Sequence, residues 1–170
     1  MKHLIIFLIV LAFLVACSPT TQSTPTAQTT FEAKSTEAAQ QTLERFFTIL
    51  SNGQYSEASY YYGSTYDTLI DMNPDIDQND KTTLWKAGCE FNGFQCKLSL
   101  RSAVVKEQSG DTIRFTVEFS NPDGSLFVLG PCCGTDATDM PPVTQFEFLL
   151  SWIDEGGGRF VVMTMPVYVP

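Results

Sequence analysis

Residues 111–127 read "DTIRFTVEFSNPDGSLF", and the alternation inside them decides the fold class. Ile113, Phe115, Val117 and Phe119 fall on one side of an extended chain, with Arg114, Thr116, Glu118 and Ser120 on the other. A period of two marks a half-buried strand, because successive side chains of an extended backbone point to opposite faces. Asn121-Pro122-Asp123-Gly124 is a turn, so residues 125–129 are expected to begin the partner strand. Residues 98–107 supply a strand before this pair. Phe146, Phe148, Leu150 and Trp152 share a face in another strand. Gly156-Gly157-Gly158 turns the chain and residues 160–169 return.

Upstream, the period lengthens. Ala39, Leu43, Phe46, Phe47 and Leu50 recur at three- and four-residue steps and form one apolar stripe, so residues 35–51 are expected to be helical. Ser35-Thr36-Glu37-Ala38 offers N-caps, and Asn52-Gly53 ends the helix. A second helix is expected over residues 55–62, stopped by Gly63, and a third over 65–72, stopped by Pro74. Asp77 or Asn79 is the expected cap of a fourth running through Trp85 to Cys89. Helices first and antiparallel strands after give an α+β class: N-terminal helices packed on one face of a curved antiparallel sheet of about five strands.

The stretch "AAQQTLERFFTILSNGQYSEASYYYG", residues 38–63, resembles the opening of the nuclear transport factor 2-like superfamily. In that family a long helix carries a paired aromatic near its end. A turn of small residues follows, and then a helix beginning with an aromatic and an alanine. Here those features are Phe46-Phe47, Ser51-Asn52-Gly53, Tyr55 and Ala58. The strands in "DTIRFTVEFSNPDGSLF" and the closing "GRFVVMTMPVYVP" suit the same family, so the likeness covers about residues 35–170. It implies a cone, with the sheet curled around an apolar interior closed by helices. Enzymes of the family, such as ketosteroid isomerase and polyketide cyclases, place an acid or base inside that cone.

The N-terminus gives an address. Met1-Lys2-His3 precedes an uncharged apolar run over residues 4–16. A spanning helix needs roughly 20 apolar residues, so this run is expected to be a cleaved signal. Leu14-Val15-Ala16-Cys17 resembles the lipobox of bacterial lipoproteins. That resemblance implies a diacylglyceryl group on the Cys17 thiol, cleavage before Cys17, and a further acyl chain such as palmitate on the freed amine. Two or more chains hold a membrane firmly, at about 0.8 kcal/mol per buried CH₂. The expected location is the cell membrane or outer membrane, lipid-anchored and extracytoplasmic. Ser18 is not the aspartate that tends to retain lipoproteins in an inner membrane. Residues 18–30 hold only Ser, Thr, Pro, Gln and Ala, too little apolar surface to offset ordering entropy. They read as a tether, spanning roughly 20 Å as a coil. The expected organisation is therefore a leader (1–16), a lipidated cysteine with its tether (17–30) and a single α+β domain (31–170).

Ten basic against nineteen acidic residues give a net charge of −9. Such a surface repels phosphate backbones, so no nucleic-acid partner is expected. Beyond Cys17 the chain carries Cys89, Cys96, Cys132 and Cys133. Outside the cytoplasm an even set points to disulfides. Adjacent Cα atoms lie about 3.8 Å apart, whereas disulfides prefer roughly 5.5 Å, so a Cys132–Cys133 bridge is strained. Two bridges from the 89–96 region to the 132–133 loop are favoured. Cross-linking about 44 residues in this way contributes about 4 kcal/mol on the chain-entropy model. Cys89–Cys96 stays open as a pairing provided Asn92-Gly93 breaks the helix. Zinc is a lesser alternative, since paired Cys-x-x-Cys spacing is missing.

The chemistry is mostly exclusion. The one histidine, His3, leaves with the leader, which removes every histidine mechanism from the mature chain. Gly156-Gly157-Gly158 lacks the helix and lysine of a nucleotide loop. "DMNPDIDQND", residues 71–80, alternates oxygen ligands, but an EF-hand register from Asp71 puts Ile76 at position six and Thr82 at twelve. Turns and helix caps explain it better. "PCCGTDATDMPP" reads as a polar loop in which Asp136 and Asp139 are weak ion candidates. No metal or cofactor is expected. The candidate pocket comprises Tyr61, Tyr62, Tyr66, Asp67, Trp85 and Trp152, with apolar walls and hydroxyl handles. Core packing competes with that role for each aromatic. The expectation is a non-enzymatic lipoprotein binding a small apolar ligand or an envelope protein. One alternative is a histidine-free isomerase or cyclase using a buried carboxylate such as Asp67 beside Tyr66. The other is a structural envelope component.

Overall fold

Helix α1 (Thr36–Ser51) starts where Ser35 turns extended and its hydroxyl accepts a hydrogen bond from the Ala38 N–H at 3.1 Å. It ends at Asn52, and Gly53 takes φ 71°, a left-handed angle that glycine adopts at little cost. The computed structural model describes residues 34–131 and 136–170. The leader, Cys17, the tether, Cys132 and Cys133 lie outside the described residues. α2 (Tyr55–Tyr61) and α3 (Asp67–Met72) are short, and α4 (Lys81–Glu90) follows the acidic turn. The cap of α4 is Asp80, whose carboxylate accepts from the Thr83 N–H at 3.0 Å. Neither expected cap serves: Asp77 instead accepts from the Asn79 N–H at 2.9 Å and closes a local turn.

Four strands form one antiparallel sheet in the order β1 (Ser99–Ser109), β2 (Thr112–Ser120), β3 (Phe146–Ile153), β4 (Arg159–Val162). The class is α+β with helices packed against this sheet, but there are four strands rather than about five. Residues 125–129 begin to turn back on the end of β2, where the Phe127 N–H donates to the Phe119 carbonyl at 2.9 Å, but form no further strand, because β3 pairs with β2 from Thr112 to Val117. Only single bridges remain there, Ser120 with Leu126 and Leu129 with Val143. The return strand also stops early, at Val162. The Thr164 hydroxyl then takes the Leu149 N–H at 3.0 Å, and Pro166 has no N–H to give.

The alternation in β2 is realised. Ile113, Phe115, Val117 and Phe119 are at most 2% exposed, and their polar neighbours face outward. α1 touches both edge strands, β1 and β4, and two bulges bend β1. The paired aromatics of α1 divide the core between them. Phe47 packs on the sheet, 4.6 Å from Phe119 and 5.4 Å from Phe148 between ring centroids. Phe46 packs on the helices, 5.6 Å from Trp85 and 6.3 Å from Tyr62. Each buried ring contributes about 1.5–3 kcal/mol through the hydrophobic effect. These elements lie in one compact unit, Phe31–Pro170. No helix among the described residues is long and apolar enough to cross a membrane.

The outer face of the sheet carries exposed ion pairs: Lys106 with Glu147, and Arg114 with Glu147 at 3.5 Å and Glu107 at 3.9 Å. Pairs this exposed contribute little stability, about 0–1 kcal/mol. Their position beside β1 has another use. β1 is a long edge strand with Val104 65% exposed. Bulges and charged side chains blunt such an edge against pairing with other chains.

Candidate functional site

Three of the expected pocket residues form a closed cluster in the core. Tyr62, Tyr66 and Trp85 are buried, with ring centroids 5.1 Å (Tyr62–Trp85), 5.2 Å (Tyr62–Tyr66) and 6.0 Å (Tyr66–Trp85) apart. Their polar atoms are satisfied internally. The Trp85 indole N–H donates to the Tyr66 hydroxyl oxygen at 3.1 Å, and the Tyr62 hydroxyl donates to the Thr65 carbonyl at 3.1 Å. Burial pushes the Tyr66 hydroxyl up to about 12, with the Trp85 hydrogen bond pulling the other way. Burial raises Tyr62 too.

The other three stand apart. Asp67 is exposed at the start of α3, and no hydrogen bond joins it to Tyr66. Tyr61 is half-buried, edge-on to Tyr60. Trp152 packs 5.1 Å from Phe160, and its N–H donates to Asp154 at 2.8 Å. Among the described residues every aspartate and glutamate is exposed or half-buried, none buried. No cluster of three or more potential metal ligands occurs among them either.

Cys89 and Cys96 are bonded to each other, with Cα atoms 5.4 Å apart. The favoured bridges from this region to the 132–133 loop therefore do not form, and the local pairing left open is the one present. α4 stops at Glu90, and Gly93 at φ 87° reverses the chain, which brings the two cysteines within bonding distance.

The loop closed by this disulfide forms one wall of a groove. Met72, Phe91, Gly93, Tyr168 and Val169 line it, with Asn92 and Pro170 completing a volume of about 350 Å³. Phe91 is 78% exposed, Tyr168 42% and Met72 37%. Hydrogen bonds hold the floor: the Gln95 N–H donates to the Val167 carbonyl at 2.7 Å, and the Val169 N–H to the Gly93 carbonyl at 3.1 Å. The Asn73 side-chain amide donates to the Asn92 side-chain oxygen Oδ1 at 2.9 Å and to the Leu69 backbone carbonyl at 2.7 Å, tying the acidic turn to the groove. Large apolar side chains exposed on a backbone held by such bonds suit the role of interface anchors.

None of these groove residues stands out in the sequence. Phe91 follows Leu84, Ala87 and Gly88 at helical spacing, which places it on the buried stripe of α4. The helix ends one residue too soon, and Phe91 turns outward at φ −128°. Compared with known proteins, the chain matches no family model and no curated protein.

Proposed function

We infer that this is a lipid-anchored extracytoplasmic lipoprotein whose domain is a non-enzymatic binding module. Leader, Cys17 and tether supply the anchorage by their likeness to the lipobox pattern. The observation that carries the binding reading is the pairing of a self-satisfied core with an exposed groove, part polar and part apolar, beside the Cys89–Cys96 cross-link. A histidine-free base needs a carboxylate whose burial raises its pKa, and the described carboxylates all reach solvent. The aromatic hydroxyls that would assist such a base are already engaged within the core. A small apolar ligand has no place within the Tyr62–Tyr66–Trp85 cluster, whose rings fill it with one another. The surface reading, a protein partner, is the one the groove supports.

Intact-mass spectrometry of protein extracted from membranes tests the anchorage. The expected species begins at Cys17, carries acyl chains and has Cys89 and Cys96 oxidised. A chain that keeps residues 1–16 and carries no lipid overturns it.

A further inference from the structure

We propose that the groove bounded by Met72, Phe91 and Tyr168 docks a short segment of a partner protein that combines apolar side chains with lysine or arginine. The proposal rests on the binding-module reading above and names the chemistry of the partner.

Three observations select this occupant. The first is shape with rigidity. Phe91 projects from a loop closed by the Cys89–Cys96 bond, so little backbone freedom there remains to be lost on docking. The second is charge. Exposed Asp71 and Glu90 adjoin Met72 and Phe91 in sequence, and the acidic turn of residues 71–80 is hydrogen-bonded to the groove through Asn73. No basic side chain lines the groove; Lys86, one turn back on α4, is not part of it. A second copy of this chain, itself at −9, brings like charge against like. An anionic bilayer does the same. The third is position. The start of α1 lies at the hairpin tip of β1 and β2, where Lys34 pairs with Asp111 and Thr36 meets Gln108. The end of α1 lies by Lys97, whose ammonium donates to the Ser51 carbonyl at 2.9 Å, just past Cys96. The sixteen residues of α1 separate these ends by roughly 24 Å. The groove therefore lies by the end of α1 that is remote from Lys34.

The test pans a random dodecapeptide library against the full-length protein in detergent. Phe91→Ser protein, unchanged in charge, is the counter-target, and phosphatidylcholine vesicles are the lipid probe. Expected is enrichment of peptides pairing aromatic or aliphatic residues with lysine or arginine, binding Phe91→Ser at least tenfold more weakly. Asp71→Asn with Glu90→Gln is expected to flatten the salt dependence of the same peptides. Peptides that bind Phe91→Ser equally well, or that are acidic, overturn the groove while leaving the binding module standing. No enriched peptide at all overturns both. Vesicle binding lost in Phe91→Ser assigns the groove to a lipid surface and overturns the protein partner.

Discussion

The indole N–H of Trp85 ends on the hydroxyl oxygen of Tyr66, 3.1 Å away, inside the core between α4 and the start of α3. Trp85 has no exposure and Tyr66 has 9%, so neither polar atom has ready access to water. The two rings, both singled out by their polar handles, hold each other rather than a ligand.

Tyr66→Phe follows directly. It removes the acceptor and leaves the buried Trp85 N–H unpaired, at a cost of about 1–3 kcal/mol near neutral pH. It also changes the response to alkali. A tyrosine hydroxyl in an unfolded chain titrates near 10, whereas Tyr66 is held up to about 12. Between those values the folded protein keeps a proton that the unfolded chain has lost. Stability from this group is intact below pH 10 and drains away as pH rises through about 12. Denaturant melts from pH 8 to 12 check both effects. The wild type is expected to lose stability more steeply than Tyr66→Phe across pH 10–12, with a residual slope from Tyr62. Equal stability at pH 7 together with equal slopes defeats the assignment.

The disulfide gives a second expectation. Its partners are 7 residues apart, and closing a loop that short contributes about 2.5 kcal/mol on the chain-entropy model. Cys89→Ala with Cys96→Ala is expected to lower stability by about that amount and to keep the sheet, since β1–β4 lie outside the loop. Amide exchange provides the local readout. Gln95 and Val169, which tie the loop to residues 167–169, are expected to exchange faster, and the β2 amides are not. Uniform loss of protection across the sheet contradicts this division.

How much of this was legible depends on where each signal comes from. α1 and β2 were readable because one apolar period runs unbroken through each, and both ends of α1 carry their own capping residues. A turn followed by an apolar run is a local hairpin signal, and residues 125–127 do pair with the end of β2. The hairpin goes no further because β3, a strand remote in sequence, takes β2 from Thr112 to Val117, and no local pattern records that competition. The tyrosines looked like a site because a hydroxyl on a ring reads as polar function; whether it is satisfied is a tertiary fact. Phe91 was hidden for the opposite reason. Its spacing reads as core, and only the point at which α4 stops turns it outward.

Ser35 allows a simple check of the helix that organises the domain. Its hydroxyl is the side-chain acceptor for the first turn of α1. Ser35→Ala is expected to destabilise by about 1 kcal/mol with no change in the far-ultraviolet spectrum of the folded state. Thermal melts measure it, and an unchanged midpoint counts against the cap.

Gly93 is where the disulfide loop, the segment 167–169 and the groove meet. Its φ of 87° is an angle that side chains resist, and a Cβ there would stand 2.2 Å from the Val169 carbonyl oxygen. That oxygen belongs to backbone held by the Val169 N–H bond to the Gly93 carbonyl, so the neighbour cannot give way without breaking the pairing. Gly93→Ala therefore carries both a backbone strain of order 1–3 kcal/mol and a steric displacement of residues 167–169. The expected result is loss of protection at the Val169 and Gln95 amides with protection retained in β2. Peptides selected on the wild-type groove are expected to weaken as they do with Phe91→Ser, although Phe91 itself is intact. Alanine accepted here with unchanged exchange and unchanged peptide affinity means that the floor of the groove is not the paired backbone described above.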